Sequence, residues 1–136
     1  MRYLFALLLS IIISTSSFSQ NKGIKSYSKS KKLLLMIYDS NAFSFYCGCS
    51  FKLKIPNLYS CGYIPKKDNE RANRIELEHV VPAYAFGHSL SEWKNGHPKC
   101  VKKNGKKFKG RKCAKKINQE FRLMEADMHN LFPVIG

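Results

Sequence analysis

RIELEHVVP, residues 74–82, is the stretch on which the fold turns. It is largely apolar, β-branched at several positions and closed by Pro82, which predicts an extended segment over 75–81. Side chains of a strand alternate between faces, so Glu78 and His79 point to opposite sides unless the chain bends. Pro82 and the change of pattern after it supply a place for that bend. An acid and an imidazole on a bending strand end can bind a hard divalent cation through the carboxylate and take a proton from water at the ring. The bland alternative, a Glu-His pair that merely packs, is the commoner fate of such a dipeptide.

Away from this segment the pattern changes repeatedly. Upstream, Ile24, Tyr27, Leu34 and Tyr38 fall at helical spacing and predict a helix over 29–38, ended by Asp39-Ser40-Asn41. Residues 50–55 alternate as a strand, with Phe51, Leu53 and Ile55 on one face and Lys52 and Lys54 on the other. Pro56, Gly62 and Pro65 then mark loops. Downstream, 83–86 form a short helical turn. Asn104-Gly105 is a two-residue hairpin signal that wants positive φ at both positions. Ile117, Phe121, Met124 and Met128 predict a helix over 114–126, and the apolar residues 131–135 are extended. The sum is a mixed α+β domain with an antiparallel pair, a basic hairpin and two or three helices, free of internal repeats.

The chain has 136 residues, enough for one domain, and its 44% hydrophobic content supports a modest core. Lys and Arg number 24 against 9 Asp and Glu, a net charge of +15. That balance argues against an acidic binding site and for a polyanionic partner: nucleic acid, anionic lipid or acidic polysaccharide. Residues 1–19 place one Arg before an apolar run of about 11 residues and then small polar residues, the order of a secretory signal peptide and too short to span a bilayer. The mature chain is therefore expected to begin at residue 20, in the periplasm or the medium, without a membrane contact. In such a compartment Cys47, Cys49, Cys61, Cys100 and Cys113 are disulfide candidates, and five being odd, one thiol has no partner within the chain. A Cys100–Cys113 bridge would close a loop of about 14 residues, worth roughly 3 kcal/mol. Zinc is the weaker reading, since Cys47-Gly48-Cys49 lacks the usual two-residue gap.

Between Lys102 and Lys116, nine of 15 residues are basic and none is acidic. Lys102, Lys103, Lys106, Lys107, Lys109, Lys112, Lys115 and Lys116 are candidates to neutralise phosphates, with counterion release giving salt-sensitive, sequence-independent affinity. Arg111 differs, because a guanidinium grips a phosphate by two parallel bonds. A merely solvated face is the competing account. Asp127 and Asn130, with His129 between them, offer oxygens suited to Mg²⁺, against a plain capping role. Trp93, Tyr84 and Phe86 offer base stacking, against a place in the core.

FYCGC at 45–49, SCGY at 60–63, RANRIELEHVVPAYAFG at 71–87, GRKCAKK at 110–116 and MEADMHNLFPVIG at 124–136 occur in that order. This series resembles the bacterial endonuclease I family of secreted or periplasmic nucleases, over about 45–136. The resemblance implies a ββα-metal (His-Me finger) core that cuts double- or single-stranded DNA, and often RNA, with Mg²⁺ and little sequence preference, acting as a monomer. By it, His79 is the general base, Glu78 a Mg²⁺ ligand, Arg111 the arginine that stabilises the transition state, and Asn130, with Asp127 in support, a residue orienting the metal finger. In the family a second metal-binding Asn and a closing helix follow the last motif. The expectation is therefore a partial domain over 20–136, with impaired activity and a loosely held apolar tail at 131–135. The rival reading is a cationic protein that binds nucleic acid or lipopolysaccharide without cutting. A structural zinc module is a third.

Overall fold

The computed structural model describes residues 23–38, 42–66 and 69–136. The expected signal peptide, and the Asp39-Ser40-Asn41 stop, lie outside the described residues. The α+β class holds: among the described residues, two small antiparallel sheets accompany short helices.

Helix α1 spans Tyr27–Ile37. Ser26 starts it from an extended conformation, its hydroxyl accepting from the Lys29 N–H at 3.3 Å. The helix turns Tyr27, Ser30 and Leu34 inward and leaves Lys29 and Lys32 in water. Leu34 packs on Leu77 and Leu131, with Tyr27, Leu35, Tyr38 and Met128 around them. Burying one such leucine contributes about 2 kcal/mol.

The first sheet contains β1 (Ala42–Phe43), β2 (Ser50–Lys52) and β3 (Ile55–Pro56) in that order. The single strand expected over 50–55 is instead a hairpin. Leu53 and Lys54 adopt φ of 50° and 70°, the paired left-handed geometry of a type I′ turn, and Leu53 and Ile55 end up in solvent. Alternation over six residues could not reveal this, because nothing in Leu-Lys advertises positive φ.

The second sheet positions the site. Strand β4 (Ile75–His79) pairs antiparallel with β5 (Leu131–Ile135), in a register running from Ile75 opposite Ile135 to His79 opposite Leu131. Ile75 and Leu77 face inward, as the alternation requires. The tail expected to be loose is thus a fully paired strand with Leu131, Pro133 and Val134 buried. Pro133 is tolerated because its main-chain nitrogen and carbonyl face away from β4, so its missing donor breaks no bond of the β4–β5 ladder. Its carbonyl accepts from the Phe45 N–H at 2.7 Å, which ties the turn after β1 to the second sheet. At the far end, the Gly136 N–H bonds the Arg74 carbonyl at 3.0 Å.

Beyond β4 come α2 (Ala83–Gly87), α3 (Ser91–Lys94), α4 (Arg111–Ile117) and α5 (Gln119–Glu125). The one helix expected over 114–126 is broken at Asn118, which leaves helical conformation and caps α5 by accepting from the Phe121 N–H at 2.9 Å. The break turns Phe121 into a core with Ala83 and Ala114, closed by Phe86, Leu90, Trp93 and Met124. Phe86 and Trp93 therefore serve packing, whereas Tyr84 is mostly in solvent. The basic hairpin is closed by a single bridge, Val101 to Lys107. Its tip departs from expectation too, because only Gly105 has positive φ. The Gly105 N–H bonds the Lys102 carbonyl and the Lys102 N–H bonds the Lys106 carbonyl, a three-residue loop rather than a two-residue one. Disulfides join Cys49 to Cys61 and Cys100 to Cys113, and Cys47 is a free, exposed thiol.

Candidate active site

His79 ends β4 on the same side as Ile75 and Leu77, so its ring points into the molecule rather than out of it. It is half-buried, stacked on the Tyr27 ring at 5.2 Å between centroids and 17° between planes, with Phe86 at 6.0 Å. Nε2 lies 2.9 Å from the Glu125 carbonyl oxygen. A carbonyl only accepts, so Nε2 carries the hydrogen and the neutral ring holds its lone pair on Nδ1. Burial pushes this imidazole below its ordinary range, and the Arg111 charge acts in the same direction, against the Glu125 carbonyl bond and the carboxylates of Glu125 and Glu78.

Arg111 opens α4, and its Nε donates to Glu125 Oε1 at 2.7 Å. The other Glu125 oxygen receives Lys115 Nζ at 2.9 Å. Glu125 is 2% exposed, so this carboxylate is a buried anchor that fixes two cations and, through its main chain, the imidazole. Motif and spacing alone do not single it out. Its signal in the sequence is an acidic residue in the apolar register four after Phe121, in a chain with few acids, which is where a buried countercharge belongs.

Asn130 lies in the short turn Met128–Asn130. Its Oδ1 accepts from the Val81 N–H at 2.7 Å, its Nδ2 donates to the Val81 carbonyl at 2.9 Å, and its own carbonyl takes the Val80 N–H at 3.0 Å. Both ends of its amide are spent on the chain directly after His79, where the extended segment bends. Asp127 has the capping arrangement: its Oδ1 accepts from the His129 N–H and lies 3.1 Å from His129 Nδ1.

Glu78 sits on the opposite face of β4 and is exposed. Among the described residues no hydrogen bond or ion pair engages its carboxylate, and no three of His, Cys, Asp and Glu gather into a metal cage. It borders a groove of about 840 Å³ between α1 and β4 that also presents Lys31, Lys32, Lys54 and Arg74. An unengaged carboxylate in water suits a hard cation that keeps most of its own hydration. Of the basic candidates, Lys102, Lys103, Lys106, Lys107 and Lys109 are exposed on the hairpin. Lys112, Lys115 and Lys116 lie on α4 instead; Lys112 is exposed, Lys115 is tied to Glu125, and Lys116 Nζ donates to the Lys99 carbonyl at 2.6 Å.

His79 and Arg111 are thus brought together through one carboxylate and one tyrosine ring, Asn130 holds the adjoining chain, and Glu78 and the hairpin lysines stand apart from the pair. A shielded imidazole beside an anchored guanidinium can exchange a proton at one group and hold an anion at the other. The family model of endonuclease I matches residues 10–136, and the chain belongs to that family. It is similar to an extracellular deoxyribonuclease of Aeromonas hydrophila, 43% identical over 140 residues, which cover 99% of this chain and 54% of the relative. A periplasmic deoxyribonuclease of the same organism is 42% identical over 138 residues, covering 98% and 51%. Endonuclease-1 of Buchnera aphidicola from Acyrthosiphon pisum is 41% identical over 124 residues, covering 88% and 44%. The chain spans about half the length of the curated relatives it matches.

Proposed function

We propose that this protein is a Mg²⁺-dependent endonuclease that hydrolyses phosphodiester bonds of DNA, and RNA by the same chemistry, with little regard to sequence. The observation that carries the reading is the His79 ring: Nε2 is committed to the Glu125 carbonyl, which leaves Nδ1 free to take a proton from water. In this reading a water loses that proton as its oxygen bonds to phosphorus, and the P–O3′ bond breaks on the far side. Arg111, held at Nε by Glu125, presents its terminal nitrogens to the non-bridging oxygens as charge gathers there. Glu78 would hold the Mg²⁺, which when bound polarises the phosphate and offsets the charge on the departing oxygen. Asn130 keeps the bend after His79 in place. Strands β4 and β5 then correspond to the two strands of a ββα-metal core. Contacts limited to phosphates account for indifference to sequence.

The relatives' names, extracellular and periplasmic deoxyribonuclease, support export of this chain and residues 1–19 as its signal. The placement of Glu78 on the face away from His79 favours a second reading, a cationic protein that coats nucleic acid without cutting it. Nicking of supercoiled plasmid decides between them. The nuclease nicks with Mg²⁺, stops with EDTA and is abolished by His79→Ala. Retarded migration without strand breaks under every condition would establish the binder.

A further inference from the structure

We infer that Tyr27 is a positioning residue for His79 and Arg111, and that α1 sets the geometry of the reacting pair. The inference rests on the nuclease reading of that pair. Tyr27 is the first residue of α1, far in sequence from every group it touches on the other elements. One face of its ring stacks on the imidazole at 5.2 Å. Around the same ring lie Arg111 Cζ at 5.7 Å, Lys115 Nζ at 5.4 Å and Lys31 Nζ at 5.0 Å, within the range in which a cation is drawn to an aromatic face. Its hydroxyl donates to the Leu77 carbonyl at 3.0 Å, which fixes the ring to the strand that carries His79.

The next turn of α1 completes the clamp. Ser30 is buried, and its hydroxyl donates to the Ala126 carbonyl at 2.5 Å, one residue beyond the carbonyl that holds His79 Nε2. Helix α1 therefore grips β4 through Tyr27 and the end of α5 through Ser30, and the imidazole is held between those two attachments. A ring that can tilt or slide would carry Nδ1 off the line of the attacking water, and displacements of about 1 Å cost on the order of a hundredfold in rate. An apolar residue of similar bulk fills the space but offers neither a stacking face nor a quadrupole.

The test compares Tyr27→Phe with Tyr27→Leu, using Tyr59→Ala as control, since Tyr59 is 96% exposed. kcat and KM are measured on plasmid DNA, and the His79 ring nitrogens are read by long-range ¹H–¹⁵N NMR at one fixed alkaline pH, assigned with His79→Gln. Tyr27→Phe should keep kcat within about threefold and the Nε2–H tautomer. Tyr27→Leu should lose roughly tenfold or more in kcat with KM within about twofold, and show a mixture of tautomers. Tyr27→Met serves the same comparison if the Leu variant does not fold. An unchanged kcat and tautomer in the Leu variant overturn the inference, as does a loss carried by KM alone. If the unaltered protein cleaves nothing, the nuclease reading falls, and the tautomer comparison still decides whether Tyr27 orients the ring.

Discussion

Glu125 is a carboxylate placed where few proteins keep one, enclosed at the end of a helix with a cation on each oxygen. Removing its charge leaves Arg111 and Lys115 only water and the Tyr27 ring to compensate them. Glu125→Gln is expected to destabilise the fold by about 2 kcal/mol in urea unfolding and to lower nicking at least tenfold, because a neutral amide offers Arg111 one uncharged acceptor and Lys115 a donor in place of a carboxylate oxygen. His79 carries a second expectation. Burial favours its neutral form, so the imidazole is unprotonated at a lower pH than a free one, and kcat/KM should rise from acid with a midpoint below pH 6.5. The same shift makes its contribution to stability full above that value and progressively lost as pH falls through the folded-state value. A midpoint above 6.5 in the rate profile would contradict both. His79 and Arg111 were legible as candidates because their motifs are strongly patterned. Glu125 and Tyr27 were not, since each acts through a contact some 50 positions away that spacing does not encode.

Short elements were the hardest to read. The turn at Leu53-Lys54 and the break at Asn118 share a cause: residues of ordinary propensity take special conformations because the packing around them requires it. Leu53 and Lys54 are strained there, so replacing them by Asn-Gly should raise stability by about 1 kcal/mol in thermal or urea melts. Strand β5 was legible as extended, but its partner was not, because a lone apolar tail does not declare what it pairs with. Gly87 gives an opposite case. A Cβ there would lie 2.7 Å from Phe121 Cε2 and 2.8 Å from the Trp93 ring. Gly87→Ala should therefore cost about 1–3 kcal/mol by overpacking, despite the better helix propensity of alanine.

Charge dominates the behaviour of the whole molecule. With +15 overall and the hairpin lysines exposed to water, association with DNA should weaken steeply with salt. Replacing Lys102, Lys103, Lys106 and Lys107 by Gln should lower the slope of log K against log salt by up to about 3.6, close to 0.9 for each phosphate no longer neutralised, measured by fluorescence anisotropy. A slope unchanged by these replacements would place the binding surface elsewhere, with the α1–β4 groove the next region to alter. This cationic character was the plainest message of the composition, whereas the division of the lysines between a free hairpin and a partly engaged helix became visible only in three dimensions.

The residues around the imidazole are drawn from both directions along the polypeptide. Tyr27 meets Leu77 across 50 positions, His79 meets Glu125 across 46 and Val81 meets Asn130 across 49. A nascent polypeptide leaving the ribosome therefore lacks the assembled surroundings of His79 until Asn130 has emerged. On the nuclease reading, latency up to that point of synthesis follows from topology alone, and the producing cell's own nucleic acids meet only an unassembled precursor until then.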